Sequence, residues 1–181
     1  MATHCPHCQG ELPESKALYL CPHCSHAFLP HEYRALGDKA YDAKTVEDAI
    51  FWYTLAAEQD DTHAMFQLAS IYGGELGTSP RYDLAFRWYH RATKAGNPDA
   101  QTYLGYCYEE GLGTEPDQEK AFVHYEVAAL RGKAEAQYHL ATCYERGIFT
   151  APNPEMARHW YEKAAAQGHA KASEALAHLD A

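Results

Sequence analysis

The chain has 181 residues, 46% of them apolar, and carries 15 Lys and Arg against 25 Asp and Glu, a formal charge of −10. The apolar fraction supports a packed core and excludes wholesale disorder. The acidic balance argues against broad contact with a nucleic-acid backbone. No stretch reaches the roughly 18 apolar residues of a membrane-spanning helix. Met1-Ala2-Thr3-His4-Cys5 has neither the charged nor the apolar region of a signal peptide, so a cytoplasmic, reducing compartment is expected.

Residues 1–30 hold Cys5-Pro-His-Cys8 and Cys21-Pro-His-Cys24. Two CxxC knuckles on a short hairpin bring four thiolates to the corners of a tetrahedron, the ligand set and geometry that Zn²⁺ prefers. Pro in each knuckle restrains one φ of the turn. The expectation is a small β zinc ribbon over 1–30, with one structural zinc held by Cys5, Cys8, Cys21 and Cys24. Four thiolates close the coordination shell and leave no position for a reacting water. His7 and His23, inside the knuckles, are left outside the ligand set. An iron site is the competing metal reading. Disulfides conflict with a reducing compartment, and a redox pair lacks its βαβ surroundings.

From residue 49 the chain repeats. Ala49, Ala85, Ala121 and Ala157 are 36 residues apart, as are Tyr53, Tyr89, Tyr125 and Tyr161, and Ala56, Ala92, Ala128 and Ala164. A second set runs Ala64, Ala100, Ala136, Ala172 and Leu68, Leu104, Leu140, Leu176. Each unit holds two stretches with a 3.6-residue apolar period, which predicts pairs of amphipathic helices of about three turns. Asn97-Pro98-Asp99 and Asn153-Pro154-Glu155 read as helix starts, and Gly96, Gly132 and Gly168 as helix stops. Thr45-x-x-Asp48 reads as a capping box. Self-similarity at this period predicts an all-α solenoid of about eight short helices.

The run Ala100-x-x-x-Leu104-Gly105-x-x-Tyr108-x-x-Gly111-x-Gly113, followed by Asp117, Lys120, Ala121, Tyr125, Ala128, Ala129 and Gly132, resembles the Sel1-like repeat family. Glu75 in place of Gly111 and Phe149 in place of Gly113 depart from the pattern and predict loops that bend differently. The Leu36-Gly37 segment precedes Ala49 by a shorter loop, resembling a tetratricopeptide hairpin. The expected organisation is a ribbon at 1–30 and a right-handed solenoid at 31–181. The solenoid divides into a hairpin at 31–59, repeats at 60–95, 96–131 and 132–167, and a terminal helix at 168–181.

The resemblance implies that the Leu-Gly helices line a concave binding face. Positions two and five residues to either side of each Leu then point into the groove. They include Phe66, then Asp99, Thr102, Tyr106 and Glu109, then Glu135, Tyr138, Thr142 and Glu145. Further members are His31, Arg34, Asp38, Tyr41, His63, Ser70, Gly73, Lys171, Glu174 and His178. Tyr hydroxyls beside carboxylates suit a partner protein or peptide carrying Lys or Arg. The Trp/Tyr stripe is assigned to the core because it follows the repeat. Cys107 and Cys143 occupy equal places in neighbouring units, too far apart for a disulfide, and read as buried small hydrophobes. The scattered histidines form no catalytic motif. The function expected is therefore a zinc-binding, non-enzymatic interaction adaptor. The alternatives are a nucleic-acid-associated ribbon protein and a hydrolase-like relative of the repeat family. A membrane role is not expected.

Overall fold

Helix starts fall where side chains satisfy the first free N–H groups. In the computed structural model, which describes Cys5, Gln9, Gly10 and residues 30–179, Asp61 Oδ1 accepts from Ala64 N–H at 2.9 Å and Asn97 Oδ1 from Asp99 and Ala100 at 3.0 Å. Asp117 Oδ1 accepts from Lys120 N–H at 3.0 Å and Asn153 Oδ1 from Met156 N–H at 3.1 Å. These residues open α3 (Thr62–Tyr72), α5 (Pro98–Glu110), α6 (Gln118–Leu130) and α8 (Pro154–Ala166). The remaining helices are α1 (Pro30–Asp42), α2 (Val46–Glu58), α4 (Tyr82–Lys94), α7 (Ala134–Arg146) and α9 (Ala170–Leu179). The described residues thus form nine helices and no strand, one helix more than the repeat count suggested. None is long and apolar enough to cross a membrane.

Thr45 corrects one expectation. It precedes α2, but its side chain caps nothing there. Its Oγ1 donates to Ala40 O at 3.2 Å instead, tying the turn back to α1. Gly96, Gly132 and Gly168 adopt φ of 92°, 84° and 85°, the left-handed conformation expected of them.

The departure at residue 75 goes with a different loop, whereas the one at residue 149 does not: the expected bend there needs correction, because Phe149 adopts the backbone of Gly113. α5 and α7 end in left-handed Gly111 and Gly147, whereas α3 ends earlier, at a right-handed Gly73. Phe149 takes φ 63° where Gly113 has 74°. Its ring packs on Phe122 at 5.6 Å, which offsets part of the cost of that backbone. All three loops nevertheless converge on one hydrogen bond. Arg81 N–H donates to Tyr72 O, Asp117 N–H to Tyr108 O and Asn153 N–H to Tyr144 O, at 2.7–2.8 Å.

The chain divides into two compact units, Met1–Trp88 and Tyr89–Ala181. In the first, α2 packs on α1 and α3, and Tyr33 stacks on Trp52 with 6.3 Å between ring centres. Gly37 lies directly against the Tyr53 ring, where a Cβ would collide with it. In the second, α5 to α9 pack in sequence order around fully buried Leu104, Tyr125, Leu140 and Tyr161. Gly105 repeats the close approach: a Cβ there would stand 2.9 Å from the Tyr125 ring.

Of the expected ribbon, only Cys5, Gln9 and Gly10 belong to the described residues; Cys8, Cys21 and Cys24 lie outside them. Cys5 is buried. Its N–H donates to Gly10 O and its carbonyl accepts from Gln9 N–H, both at 2.8 Å, with Gln9 at φ 60°.

Leu104→Ala is expected to cost about 2–5 kcal/mol, because it removes a fully buried side chain from a close-packed site. Urea denaturation followed by circular dichroism measures it. A midpoint equal to that of the parent would contradict this packing.

Candidate functional site

Polar residues of the first helices meet the core through tyrosine hydroxyls. Tyr53 OH donates to Asp38 Oδ1 at 2.8 Å, Tyr125 OH to Glu109 Oε2 at 2.6 Å and Tyr161 OH to Glu145 Oε2 at 2.7 Å. Each bond joins the second helix of a hairpin to the first. Burial, reinforced by the neighbouring carboxylate, raises the pKa of all three phenols, so they remain donors. Thr142 Oγ1 lies 3.1 Å from the Tyr161 hydroxyl and bonds Tyr138 O at 3.1 Å. Glu109 and Glu145 therefore hold the hairpins together. Both are expected from the sequence to face the groove; each also carries this bond to the core.

The other predicted positions divide by environment. Asp99 pairs with Lys133 Nζ at 2.7 Å. Ser70 and Thr102 are buried, Phe66 and Tyr138 half-buried, and Tyr106 and Glu135 exposed. Tyr138 stacks on His169 with 4.8 Å between ring centres. In the first unit Arg34 reaches Asp61 at 3.4 Å, and His63 lies 3.5 Å from Asp38.

In the second unit α5, α7 and α9 share one face. A half-open cavity of about 250 Å³ sits on it, lined by Thr102, Tyr103, Tyr106, Glu135, His139 and Lys171. Thr102, Tyr106, Glu135 and Lys171 were legible as face positions. Tyr103 and His139 were missed. Each stands one residue before a core Leu, and this position also varies from unit to unit (Gln67, Tyr103, His139, Ala175), which is the signal that marks it.

The cavity walls are held by neighbours. Tyr103 stacks on Tyr89 at 5.3 Å and 13°. His139 lies flat on the Tyr125 ring at 4.6 Å and 7°, and Tyr106 leans on His139 at 6.2 Å. His139 Nδ1 is 3.6 Å from Glu109 Oε2, and its Nε2 is 3.6 Å from Glu135 Oε1, both longer than hydrogen bonds. Burial lowers its pKa, assisted by Lys171 and His169 and opposed by Glu109 and Glu135. His169 Nδ1 accepts from Ala172 N–H at 3.2 Å, so its Nε2 carries the proton that faces Glu135 Oε2 at 2.9 Å.

Two buried amides were also missed. Gln101 Nε2 lies 2.7 Å from Nδ1 of His124, the residue that stands where other units have Trp. Gln137 bonds Gln167 at 2.7 Å and Ala129 O at 3.2 Å. Cys107 and Cys143 are buried free thiols, and burial pushes their pKa up to about 11 and about 12. Both stay protonated and unreactive near neutrality. Among the described residues no group of three or more His, Cys, Asp or Glu is arranged to hold a metal ion.

Paired helices at a 36-residue period, with Gly or Ala where the first helix meets the Tyr of the second, define a helical-repeat protein. The Sel1 repeat model matches residues 46–61, 62–97, 98–133 and 134–169, and the chain belongs to that family. It is similar to the crystal structure of a Sel1 repeat protein from Oxalobacter formigenes, with 29% identity and a TM-score of 0.73 over 82% of this chain and 61% of that one. It is also similar to a protective antigen present in uropathogenic Escherichia coli strains that displays an SLR fold. There the identity is 29% and the TM-score 0.76, over 83% of this chain and 33% of that one. The chain thus spans less than two thirds of the length of either protein. No curated protein matches it. Sel1 repeats are in general non-catalytic modules that mediate protein–protein interaction.

Tyr125→Phe deletes one hydroxyl and leaves Glu109 without its donor. A loss of about 1.5–3 kcal/mol is expected, the range for a bond to a charged group. Comparing Tyr125→Phe, Glu109→Gln and the double variant by urea denaturation tests the pair, since strictly additive losses would show that the two groups do not interact.

The lowered pKa values of His139 and His124 set a direction with pH. A His that stays neutral when folded but protonates when unfolded makes the unfolded chain bind more protons. Stability is then full above about pH 6.5 and falls as pH drops through the lowered folded values. Unfolding midpoints at pH 7.5 and 5.5 should show this loss, and His139→Gln should shrink it.

Proposed function

We propose that the chain is a non-enzymatic protein-interaction adaptor that receives a partner segment on the α5–α7–α9 face of its second unit. The cavity between Tyr103, Tyr106 and Glu135 carries this reading. Rigidly stacked aromatic walls beside a carboxylate give contact area at low entropic cost, the character of an interface anchor site. The thiols of Cys107 and Cys143 are protonated and buried away from the cavity, which supports a binding role over nucleophilic chemistry.

The partner we propose is basic. Asp99, Glu109 and Glu145 are engaged by Lys133, Tyr125 and Tyr161. Glu135 lines the cavity with its side chain half exposed, and although Oε2 bonds His169 at 2.9 Å, Oε1 reaches His139 only at 3.6 Å. An acidic chain of net charge −10 steers cationic segments toward such a face.

We further propose that residues 1–30 fold as a ribbon around one structural zinc ion held by Cys5, Cys8, Cys21 and Cys24. The backbone bonds of Cys5 with Gln9 and Gly10 and the burial of Cys5 suit a metal-binding knuckle. When bound, zinc would supply folding energy to this segment and no reaction chemistry.

Partner capture by the purified full chain tests the adaptor reading. Tyr106→Ala should weaken binding by about 1–3 kcal/mol, mostly through a faster off-rate. Glu135→Gln should mainly slow association and flatten its salt dependence. Equal recovery of partners by parent and variants would move the binding surface elsewhere. For the ribbon, metal analysis should find about one zinc per chain, lost together with folding of residues 1–30 in Cys21→Ser. A folded, metal-free segment would overturn it.

A further inference from the structure

Two residues before the core Leu, the repeats place Phe66, Thr102, Tyr138 and Glu174. Thr102 is the smallest of these, and it is one of the six residues that line the cavity. It is 5% exposed, and its Oγ1 has no hydrogen-bond partner among the described residues. A buried hydroxyl without a partner is costly, whereas a methyl of the same shape would fit without penalty. A polar side chain is therefore held, unsatisfied, inside an aromatic-walled recess.

We infer that this recess recognises the guanidinium of an arginine side chain carried by the partner, an assignment that rests on the adaptor reading above. Its volume of about 250 Å³ suits one side chain better than a free small-molecule ligand. Tyr103 is braced by Tyr89 and Tyr106 rests on His139, so planar π faces flank the space. Glu135 Oε1, which reaches His139 only at 3.6 Å, is the open acceptor, and the buried Thr102 Oγ1 becomes a second one once its side chain turns toward the guest. Among the lining residues Glu135 balances Lys171, burial shifts His139 toward its neutral form, and the Glu109 carboxylate 3.6 Å behind His139 adds negative potential. That potential favours a cation over a carboxylate as guest. Arginine suits the site better than lysine because its planar fork stacks on rings while donating in several directions, and it loses less hydration on entry.

The test titrates the full chain, isotope-labelled for NMR, with four blocked amino-acid amides: Nα-acetyl arginine, lysine, citrulline and glutamate methylamide. The arginine probe should give saturable shifts at Thr102, Tyr106 and His139. The lysine and citrulline probes should bind about tenfold more weakly, for want of the planar fork and of the charge respectively. Thr102→Val should reduce arginine binding about fivefold with an unchanged or higher unfolding midpoint. Thr102→Phe, which copies Phe66, should abolish binding by filling the recess. Equal response to arginine and lysine, preference for glutamate, or undiminished binding in both Thr102 variants would overturn the assignment. If the arginine probe gives no saturable shift while partner capture still depends on Tyr106, the arginine assignment falls and the adaptor reading stands. If capture is also indifferent to Tyr106, both fall.

Discussion

The hydrogen bond from a buried tyrosine to a carboxylate on the preceding helix organises these hairpins. A tyrosine ring is large enough to fill the space between two short helices, but its hydroxyl cannot be buried unpaired. Placing Asp38, Glu109 or Glu145 at the end of the first helix satisfies it with a charge-assisted bond and sets the helix pair in register. The ring then lies so close to the first helix that only a small residue is accommodated beneath it, as at Gly37 and Gly105. Ring, acid and small residue are thus one device, and the 36-residue period follows from repeating it. Tyr89 is the exception in sequence: the repeat position of its acid is Gly73, and its ring stacks on Tyr103 instead.

That device restricts where recognition can occur. Acids committed to a core tyrosine are oriented and partly neutralised by it, so they make poor variable contacts. What is left on the α5–α7–α9 face is the set the core does not use: Thr102, Tyr103, Tyr106, Glu135 and Lys171. His139 joins the two layers, stacked on the core ring of Tyr125 on one side and leaning toward Tyr106 on the other. A side chain bound at the recess therefore touches residues whose positions are set by core packing. The result is a preorganised site rather than one that must be assembled on binding.

Most of the repeat was legible because its residues are periodic. Ala49, Tyr53 and Ala56 and their equivalents are buried in every unit, and burial leaves the same choices each time. Asn97 and Asn153 were legible as caps because the chemistry is local to three residues. Thr45 was misread because a capping pattern does not say whether the hydroxyl points into the helix or back to the turn before it. The dual character of Glu109 was hidden for a different reason: its partner Tyr125 is 16 residues away, and a surface acid and a core tyrosine carry no joint signature in one sequence. Gln101 with His124 is similar, since a His replacing a Trp reads as a conservative loss of bulk until the amide opposite is seen.

The recess can be understood as a local failure of periodicity that the fold can sustain. Filling position 102 with a ring, as at Phe66 and Tyr138, would satisfy packing at no evident cost to the hairpin. Thr102 instead leaves a buried hydroxyl unpaired in the wall of a half-open cavity, an unfavourable term. A repeat protein distributes stability over neighbouring units, so one weakened position is tolerated when the flanking tyrosine–acid pair is intact. In this unit that pair is Tyr125 with Glu109, the shortest of the three at 2.6 Å. A tyrosine–acid restraint and an unsatisfied hydroxyl thus share one hairpin. Packing alone gives no reason for leaving that hydroxyl unpaired beside a cavity, and accepting a bond from a partner's donor group is the role proposed for it.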